Sequence, residues 1–348
     1  MTMSPPNGPA ERGGGVAERP RVGYLGPEGT FSEEALLASA QPGGVEPIAR
    51  RTIYDAILAL TRGEVEWAVV PIENSLDGSI SVTLDLLGGE EGGIEIVGEA
   101  LLGVRHSLIA SERVALEQIE TVLTHPQVPG QCERFLRGEL AHATVLPASS
   151  TAEAVRIVAD QGRREQAALG TALAADIYRA TVLRRDVQDR DDNQTRFVWL
   201  ARTDGSAEDG NAAAGADAPN ADRAFLAAAG GPRRAPPLRS SVGAEWKTSL
   251  VFWGTGADSP GWLVRCLDQF GRRAINLTRI ESRPKRERMG SYMFFVDLQG
   301  RVSEPAIAEA LAGLKRISGH ARVLGSYRAG DTFADEPAPS LHSGATDG

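Results

Sequence analysis

From residue 21 the chain alternates between short apolar runs and longer amphipathic ones. The runs at 21–25, 45–48 and 67–71 are strand-like, and the segments 31–40 and 53–62 between them repeat their apolar positions at helical spacing. Strand and helix in turn predict an α/β domain built on a largely parallel sheet. Thr30 and Glu33 have the spacing of a capping box and mark where the first helix opens. A helix is predicted over 79–87. The apolar run 94–109 is too long and too poorly alternating for an ordinary strand, so it predicts a chain crossing between two lobes. The rhythm then resumes, with strands at 121–124, 144–146 and 167–170 and helices at 128–136, 150–160 and 171–178. A strand at 195–200 closes the pattern after a second crossing within 179–200. Two lobes joined by paired crossings enclose a cleft, a favoured place for a small molecule.

The pattern breaks at 203–246, where Ala, Gly, Asp, Pro and Arg run without periodicity. This predicts a flexible linker with a short helical piece near 221–229. Order returns with strand 248–253, helix 262–270, strands 274–282 and 291–297, helix 304–318 and strand 321–326. That order is βαββαβ, a ferredoxin-like unit. The predicted organisation is a disordered leader at 1–20, a bilobal domain at 21–202, the linker at 203–246, the small unit at 247–328 and a disordered tail at 329–348.

Composition narrows the function classes. A net charge of −9 and a pI near 5.3 leave no basic stripe for nucleic acid. Two cysteines, Cys132 and Cys266, make no disulfide framework and suit a reducing cytoplasm. No apolar run is long enough to span a bilayer, and the first twenty residues lack the apolar core of a signal peptide. The five histidines have no paired ligand spacing, so no metal is expected. The turn Gly26–Thr30 lacks the Lys-Ser/Thr end of a phosphate loop, and neither G-x-G-x-x-G nor G-x-S-x-G occurs in the right context.

What recurs instead is a turn of small or hydroxyl residues at the carboxyl end of each strand. Gly26–Thr30, Glu73-Asn74-Ser75, His125-Pro126-Gln127, Ser149-Ser150-Thr151 and Thr171 each open a helix. Helix N-termini offer free N–H groups and partial positive charge, and ligands of open α/β sheets bind beyond the strand ends. Each turn alone is only an N-cap. Together, with Gln131 beside them, they point to a small carboxylate-bearing ligand. The stretch Asn193-Gln194-Thr195-Arg196 enters the apolar run Phe197-Val198-Trp199-Leu200. It is either a polar turn before a core strand or the carrier of the chemistry.

Gly26-Pro27-Glu28-Gly29-Thr30-Phe31-Ser32, Pro71-Ile72-Glu73-Asn74-Ser75, His125-Pro126-Gln127 with Gln131-Cys132, Ser149-Ser150-Thr151 and Asn193-Gln194-Thr195-Arg196-Phe197, in this order, resemble prephenate dehydratase over about residues 21–200. Thr278-Arg279-Ile280-Glu281-Ser282-Arg283-Pro284 resembles the phenylalanine-binding signature of the ACT domain that follows in that family. The resemblance implies a periplasmic-binding-protein-like catalytic domain plus a ferredoxin-like ACT domain. It implies conversion of prephenate to phenylpyruvate with loss of CO2 and water, and no cofactor, because aromatisation drives the reaction.

The resemblance places the catalytic hydroxyl on Thr195, best seen as a preorganised donor to the departing oxygen. Glu73 could supply the proton if burial raised its pKa, or could simply orient its turn. Implied substrate contacts are Asn74, Ser75, Thr124, Gln131, Ser149, Ser150, Thr151 and Thr171. Arg196 would pair with a carboxylate or brace the loop, and Phe197 would contact substrate or pack beneath Thr195. Implied effector contacts for L-phenylalanine are Asp258, Pro260, Gly261, Leu263, Asn276, Leu277, Thr278, Glu281 and Ser282. The family usually has Gly-Ala-Leu after the Pro, and this chain has Gly261-Trp262-Leu263. The indole would fill the effector pocket or pack at a domain interface. ACT domains usually pair, so a homodimer or homotetramer is implied. Rival readings are a non-aromatising prephenate decarboxylase, an arogenate dehydratase, and a non-catalytic sensor of small anions or amino acids.

Overall fold

The computed structural model describes residues 19–89, 93–203, 235–239, 245–254, 256–286, 289–330 and 332–333. The first lobe opens with β1 (Arg21–Leu25), α1 (Phe31–Ser39), β2 (Glu46–Arg50), α2 (Ile53–Thr61), β3 (Trp67–Asn74), β4 (Gly78–Ser79), α3 (Ser81–Gly88) and β5 (Ile94–Gly103). The second lobe holds β6 (Ser107–Ala110), β7 (Thr121–Thr124), α4 (Glu133–Glu139), β8 (Thr144–Pro147), α5 (Thr151–Gln161), β9 (Gln166–Gly170), α6 (Ala172–Ile177) and β10 (Thr181–Arg184). The chain returns to the first lobe as β11 (Gln194–Arg202). The C-terminal unit is β12 (Trp246–Trp253), α7 (Trp262–Gly271), β13 (Leu277–Pro284), β14 (Tyr292–Gln299), α8 (Pro305–Ser318) and β15 (His320–Arg328), followed by β16 (Thr332–Phe333).

The predicted crossing at 94–109 proves to be two strands in two sheets, with residues 104–106 carrying the chain between them. Residues 185–193 carry it back. The first sheet has the order β16-β5-β11-β3-β1-β2, with β4 on β3, and the second β10-β6-β9-β7-β8. β1 and β3 run parallel, and β11 runs antiparallel between β3 and β5. The amino end of β11 therefore lies at the edge where β1 and β3 end, facing the second lobe.

β11 alternates strictly, as a strand buried on both faces must. Phe197, Trp199 and Ala201 pack with Val22, Tyr24 and Leu36 on the α1 face. Val198 and Leu200 pack with Ala56, Leu60 and Leu84 under α2 and α3. That second face also takes Val251, Met293, Phe295, Leu324 and Tyr327 from the C-terminal unit, so the two share one core. The approach is close enough that a Cβ on Gly325 of β15 would collide with the Ile96 carbonyl of β5. The C-terminal sheet, ordered β13-β14-β12-β15, is antiparallel throughout.

Two expectations need correction. Within the span read as a linker, residues 235–239 are docked on the first lobe: Leu238 bridges Ala40 and packs with Trp199 and Leu36. Within the span read as a disordered tail, Thr332–Phe333 pair with Leu101 and Leu102 on the free edge of β5, and Phe333 joins the α1-side core. An open strand edge offers unpaired N–H and C=O groups, which a passing segment satisfies. The predicted helix near 221–229, residues 1–18 of the leader and residues 334–348 of the tail lie outside the described residues.

Candidate functional site

A register shift in the β3–β11 pair decides which side chains meet. Between Phe197 and Arg196 strand β11 advances one residue while β3 advances from Pro71 to Glu73. Such a bulge re-aims everything beyond it. Thr195 is brought opposite Asn74, and Arg196 opposite Glu73. Asn74 Oδ1 accepts from the backbone N–H groups of Leu76 and Asp77, both at 2.9 Å, so its Nδ2 must point the other way. That Nδ2 donates to Thr195 Oγ1 at 2.9 Å. The Thr195 oxygen is thereby an acceptor, and among the described residues nothing takes its hydroxyl proton. A held oxygen with a free proton is a donor waiting for a ligand.

The network continues across the lobes. Asn74 Nδ2 also donates to Asn193 Oδ1 at 3.0 Å, and Asn193 Nδ2 donates to Gln131 Oε1 at 3.4 Å. Gln131 Oε1 lies 3.1 Å from His106 Nε2, which must be the protonated nitrogen. His106 is 1% exposed, and burial lowers its pKa below the ordinary value, so the ring is held neutral. Ser75 braces the same loop, its Oγ accepting from Gln194 N at 2.9 Å. Asn193 and His106, which sequence reasoning did not place in the site, occupy the two chain crossings. Asn193 stood inside a quoted motif, but nothing in the pattern singled out His106.

Three hydroxyls named from sequence serve the framework, and two of them, Thr124 and Thr171, give up their protons to it. Thr124 donates to the Leu169 carbonyl at 3.0 Å and is 1% exposed. Ser150 caps α5, accepting from Glu153 N at 3.0 Å, and leaves Thr151 at the first turn with Ser149 exposed before it. Thr171 caps α6 and donates across the cleft to the Gly29 carbonyl at 2.6 Å. Tyr178 donates to the Glu28 carbonyl at 2.9 Å beside it. Gly29 has φ +82, and a Cβ there would lie 2.8 Å from Ala174 Cα and Cβ. The two lobes touch where only glycine fits.

Arg196 and Phe197 do not face the cleft. Phe197 is core. The Arg196 guanidinium is buried, its Nε on Glu99 at 2.7 Å, one Nη on Asp297 at 2.5 Å and the other on Tyr327 Oη at 2.8 Å. Ser249 Oγ donates to Asp297 Oδ1 at 2.5 Å, and Lys247 Nζ reaches Glu99 Oε1 at 2.6 Å. Burial pushes the Asp297 carboxyl up, but Arg196, Ser249 and Arg279 outweigh it and hold the group below its ordinary value. The residue after Thr195 thus anchors the first lobe to the C-terminal unit. Glu73 is likewise not where a buried proton donor would be. Its side chain is 37% exposed, with Arg196 at 3.6 Å and Arg279 at 3.4 Å.

In the C-terminal unit the Trp262 indole does not pack at the interface with the first lobe. It is buried in the unit's own core against Phe252 and Phe294, with ring centroids 6.0 and 5.9 Å away. Gly261, at φ +74, caps α7 before it. Thr278 donates to the Asp297 carbonyl at 3.3 Å and Asn276 to Gln299 Oε1 at 2.9 Å. Glu281 pairs with Phe295 and Ser282 with Phe294, on opposite faces of the sheet, while Leu263 and Leu277 edge the helix-side core. Asp258 and Pro260 are exposed in the preceding turn. Among the described residues no group of three or more His, Cys, Asp or Glu could hold a metal ion, and no helix is long and apolar enough to cross a membrane.

Fold and site together define a two-lobed α/β cleft protein, rimmed by helix N-termini, with a fused βαββαβ unit that shares its core. A family model for prephenate dehydratase matches residues 22–205. A prephenate dehydratase of Mycobacterium marinum is 35% identical over 329 residues, covering 92% of this chain and 92% of the relative. The structure of a prephenate dehydratase from Arthrobacter aurescens in complex with L-Phe superposes with a TM-score of 0.71 at 34% identity, over 88% of this chain and 90% of that one. A structure described as a quorum-quenching acylase has the same TM-score of 0.71 at 27% identity, over 89% of this chain and 98% of that one. The chain belongs to the prephenate dehydratase family, lyases that decarboxylate and dehydrate prephenate.

Proposed function

We propose that this chain binds prephenate between its lobes and converts it to phenylpyruvate on the way to L-phenylalanine. The observation that carries the mechanism is the Asn74–Thr195 pair, which leaves the threonine proton free to donate. As the ring carboxylate leaves as CO2, the electron pair of the broken C–C bond enters the ring. The ring becomes aromatic and expels the opposite hydroxyl as hydroxide. Thr195 donates to that departing oxygen, stabilising charge that exists only as the bond breaks. Free N–H groups at the start of α5, with Ser149, Ser150 and Thr151, suit a substrate carboxylate. Gln131, held between His106 and Asn193, suits a second polar contact.

The test is direct. Prephenate incubated with the purified chain yields phenylpyruvate, read by its absorbance in alkali. Consumption without that signal indicates the non-aromatising decarboxylase, and no consumption overturns the proposal. Thr195→Ala lowers kcat by roughly 10²–10³, as expected for one transition-state donor. Near-native turnover in that variant would sink the assignment.

The C-terminal unit is proposed to act as an ACT domain that takes L-phenylalanine at Asp258, Pro260, Gly261 and Leu263 and at Asn276, Leu277, Thr278, Glu281 and Ser282. The L-Phe complex of the Arthrobacter relative supports this. Calorimetry with L-phenylalanine checks it. Pairing of C-terminal units into a homodimer or homotetramer fits the half-exposed Ile280 on the edge strand β13 and Tyr292 at the start of its neighbour β14. A cytoplasmic location fits two buried free cysteines.

A further inference from the structure

Arg279 reaches Glu73 from the other domain. Its Nε lies 3.4 Å from Glu73 Oε2, and one Nη donates to Ser79 Oγ at 2.7 Å. Ser79 pairs with Glu73 across the β3–β4 hairpin, so one guanidinium grips both strands of the turn whose next residue is Asn74. The Arg279 side chain is 8% exposed and so is held rigidly against the first lobe. Its aim comes from a second register shift. Between Leu277 and Arg279, β13 advances two residues while β14 advances one, from Leu298 to Asp297. Leu277 lies with Leu298 in the helix-side core, and Arg279 is turned with Asp297 to the opposite face. Arg279, Glu73, Arg196 and Asp297 then form a row of alternating charge across the domain interface.

We propose that Arg279 is a positioning residue for the reaction. It sets Glu73 and the β3–β4 turn, and through that turn the Asn74 amide that holds Thr195, so the C-terminal unit completes the catalytic geometry. The inference rests on the prephenate dehydratase reading above. It has a structural corollary. β13 also carries Thr278, Glu281 and Ser282 of the proposed effector site, so a ligand that moves this strand moves the partner of Glu73.

The test uses the full chain, with kcat and KM for prephenate measured for Arg279→Ala and Arg279→Lys, each alone and combined with Glu73→Gln. Misplacement of a positioned group by about 1 Å lowers rate by up to about 10²-fold, so Arg279→Ala is expected to lower kcat by roughly 10–100-fold while KM moves little. Arg279→Lys keeps charge but loses the fork, and falls between. In the Glu73→Gln background Arg279→Ala costs a smaller fold-loss in kcat than in the wild type, because one of its two partners on the turn is already gone and only Ser79 remains. Hydrogen exchange at the Ile80 amide, which donates to the Ile72 carbonyl at 2.9 Å, speeds up in Arg279→Ala and needs no turnover to be read. Wild-type kcat in Arg279→Ala, an equal fold-loss in both backgrounds, or unchanged exchange at Ile80 each overturns the proposal. A wild-type chain that makes no phenylpyruvate overturns the functional reading itself, and a working wild type with an indifferent Arg279→Ala overturns this inference alone.

Discussion

The first lobe meets its two neighbours by different chemistry. Against the second lobe its contacts are neutral hydrogen bonds, from the buried Thr171 and from Tyr178 to the carbonyls of Gly29 and Glu28, and through Asn193 to Gln131. Against the C-terminal unit it offers a continuous apolar core and a buried charge network around Arg196. A neutral hydrogen bond that water can replace is worth only about 0.5–1.5 kcal/mol net. A buried charge that loses its partner costs about 3–5 kcal/mol. The first interface is the cheaper of the two to open, and the second the costlier. Strand β11, which carries the proposed donor Thr195, lies between them, with Thr195 toward the second lobe and Arg196 toward the C-terminal unit.

The largest expected effect tests the costlier side. Arg196→Ala removes the guanidinium shared by Glu99 and Asp297, leaving Lys247 on one and the Ser249 hydroxyl on the other, and is expected to destabilise the chain by about 3–5 kcal/mol in urea unfolding. A loss below about 1 kcal/mol would make the two interfaces alike and break the comparison. The cheaper side is tested by Gly29→Ala. Its methyl would press on Ala174 at a backbone angle that L-residues avoid. Holding the lobes apart is expected to raise KM for prephenate roughly tenfold, a loss of about 1.4 kcal/mol. Unchanged KM would mean that the lobes need not meet there.

The smallest effect concerns acid. The Asp297 carboxyl lies below its ordinary value of 3.8 in the folded chain, so its stabilising contribution is present above that value and fades as pH falls through the folded one. The bonds from Thr171 and Tyr178 involve neutral hydroxyls and carbonyls. Melting followed from pH 7 down to pH 3 should therefore show the C-terminal unit loosening first, and Asp297→Asn should flatten that part of the curve. Loosening of the two lobes from one another ahead of the C-terminal unit would reverse the ranking.

Much of this was legible in the chain. Period-two and period-3.6 patterns located the strands and helices, because burial of one face or both is written locally. The motif order identified the family, and Asn74, Thr195 and Gln131 do converge. Arg196 and Phe197 were ambiguous for a physical reason. Alternation says that neighbours on a strand point to opposite faces, but not what covers each face. Only the packed fold shows α1 over Phe197 and the C-terminal sheet over Arg196.

By itself, then, the sequence determined the two lobes, the βαββαβ unit and the family to which the chain belongs. The resemblance carried by the motif order also pointed to the hydroxyl at Thr195, where local pattern alone left a polar turn open. The tertiary structure alone decided that Arg196 belongs to a domain interface, that Glu73 is gripped by Arg279, and that His106 and Asn193 tie the crossings together. Two one-residue register shifts, in β3 against β11 and in β13 against β14, set the first two of those contacts. A shift of one residue turns a side chain to the other face of a sheet, and it depends on how distant strands pair.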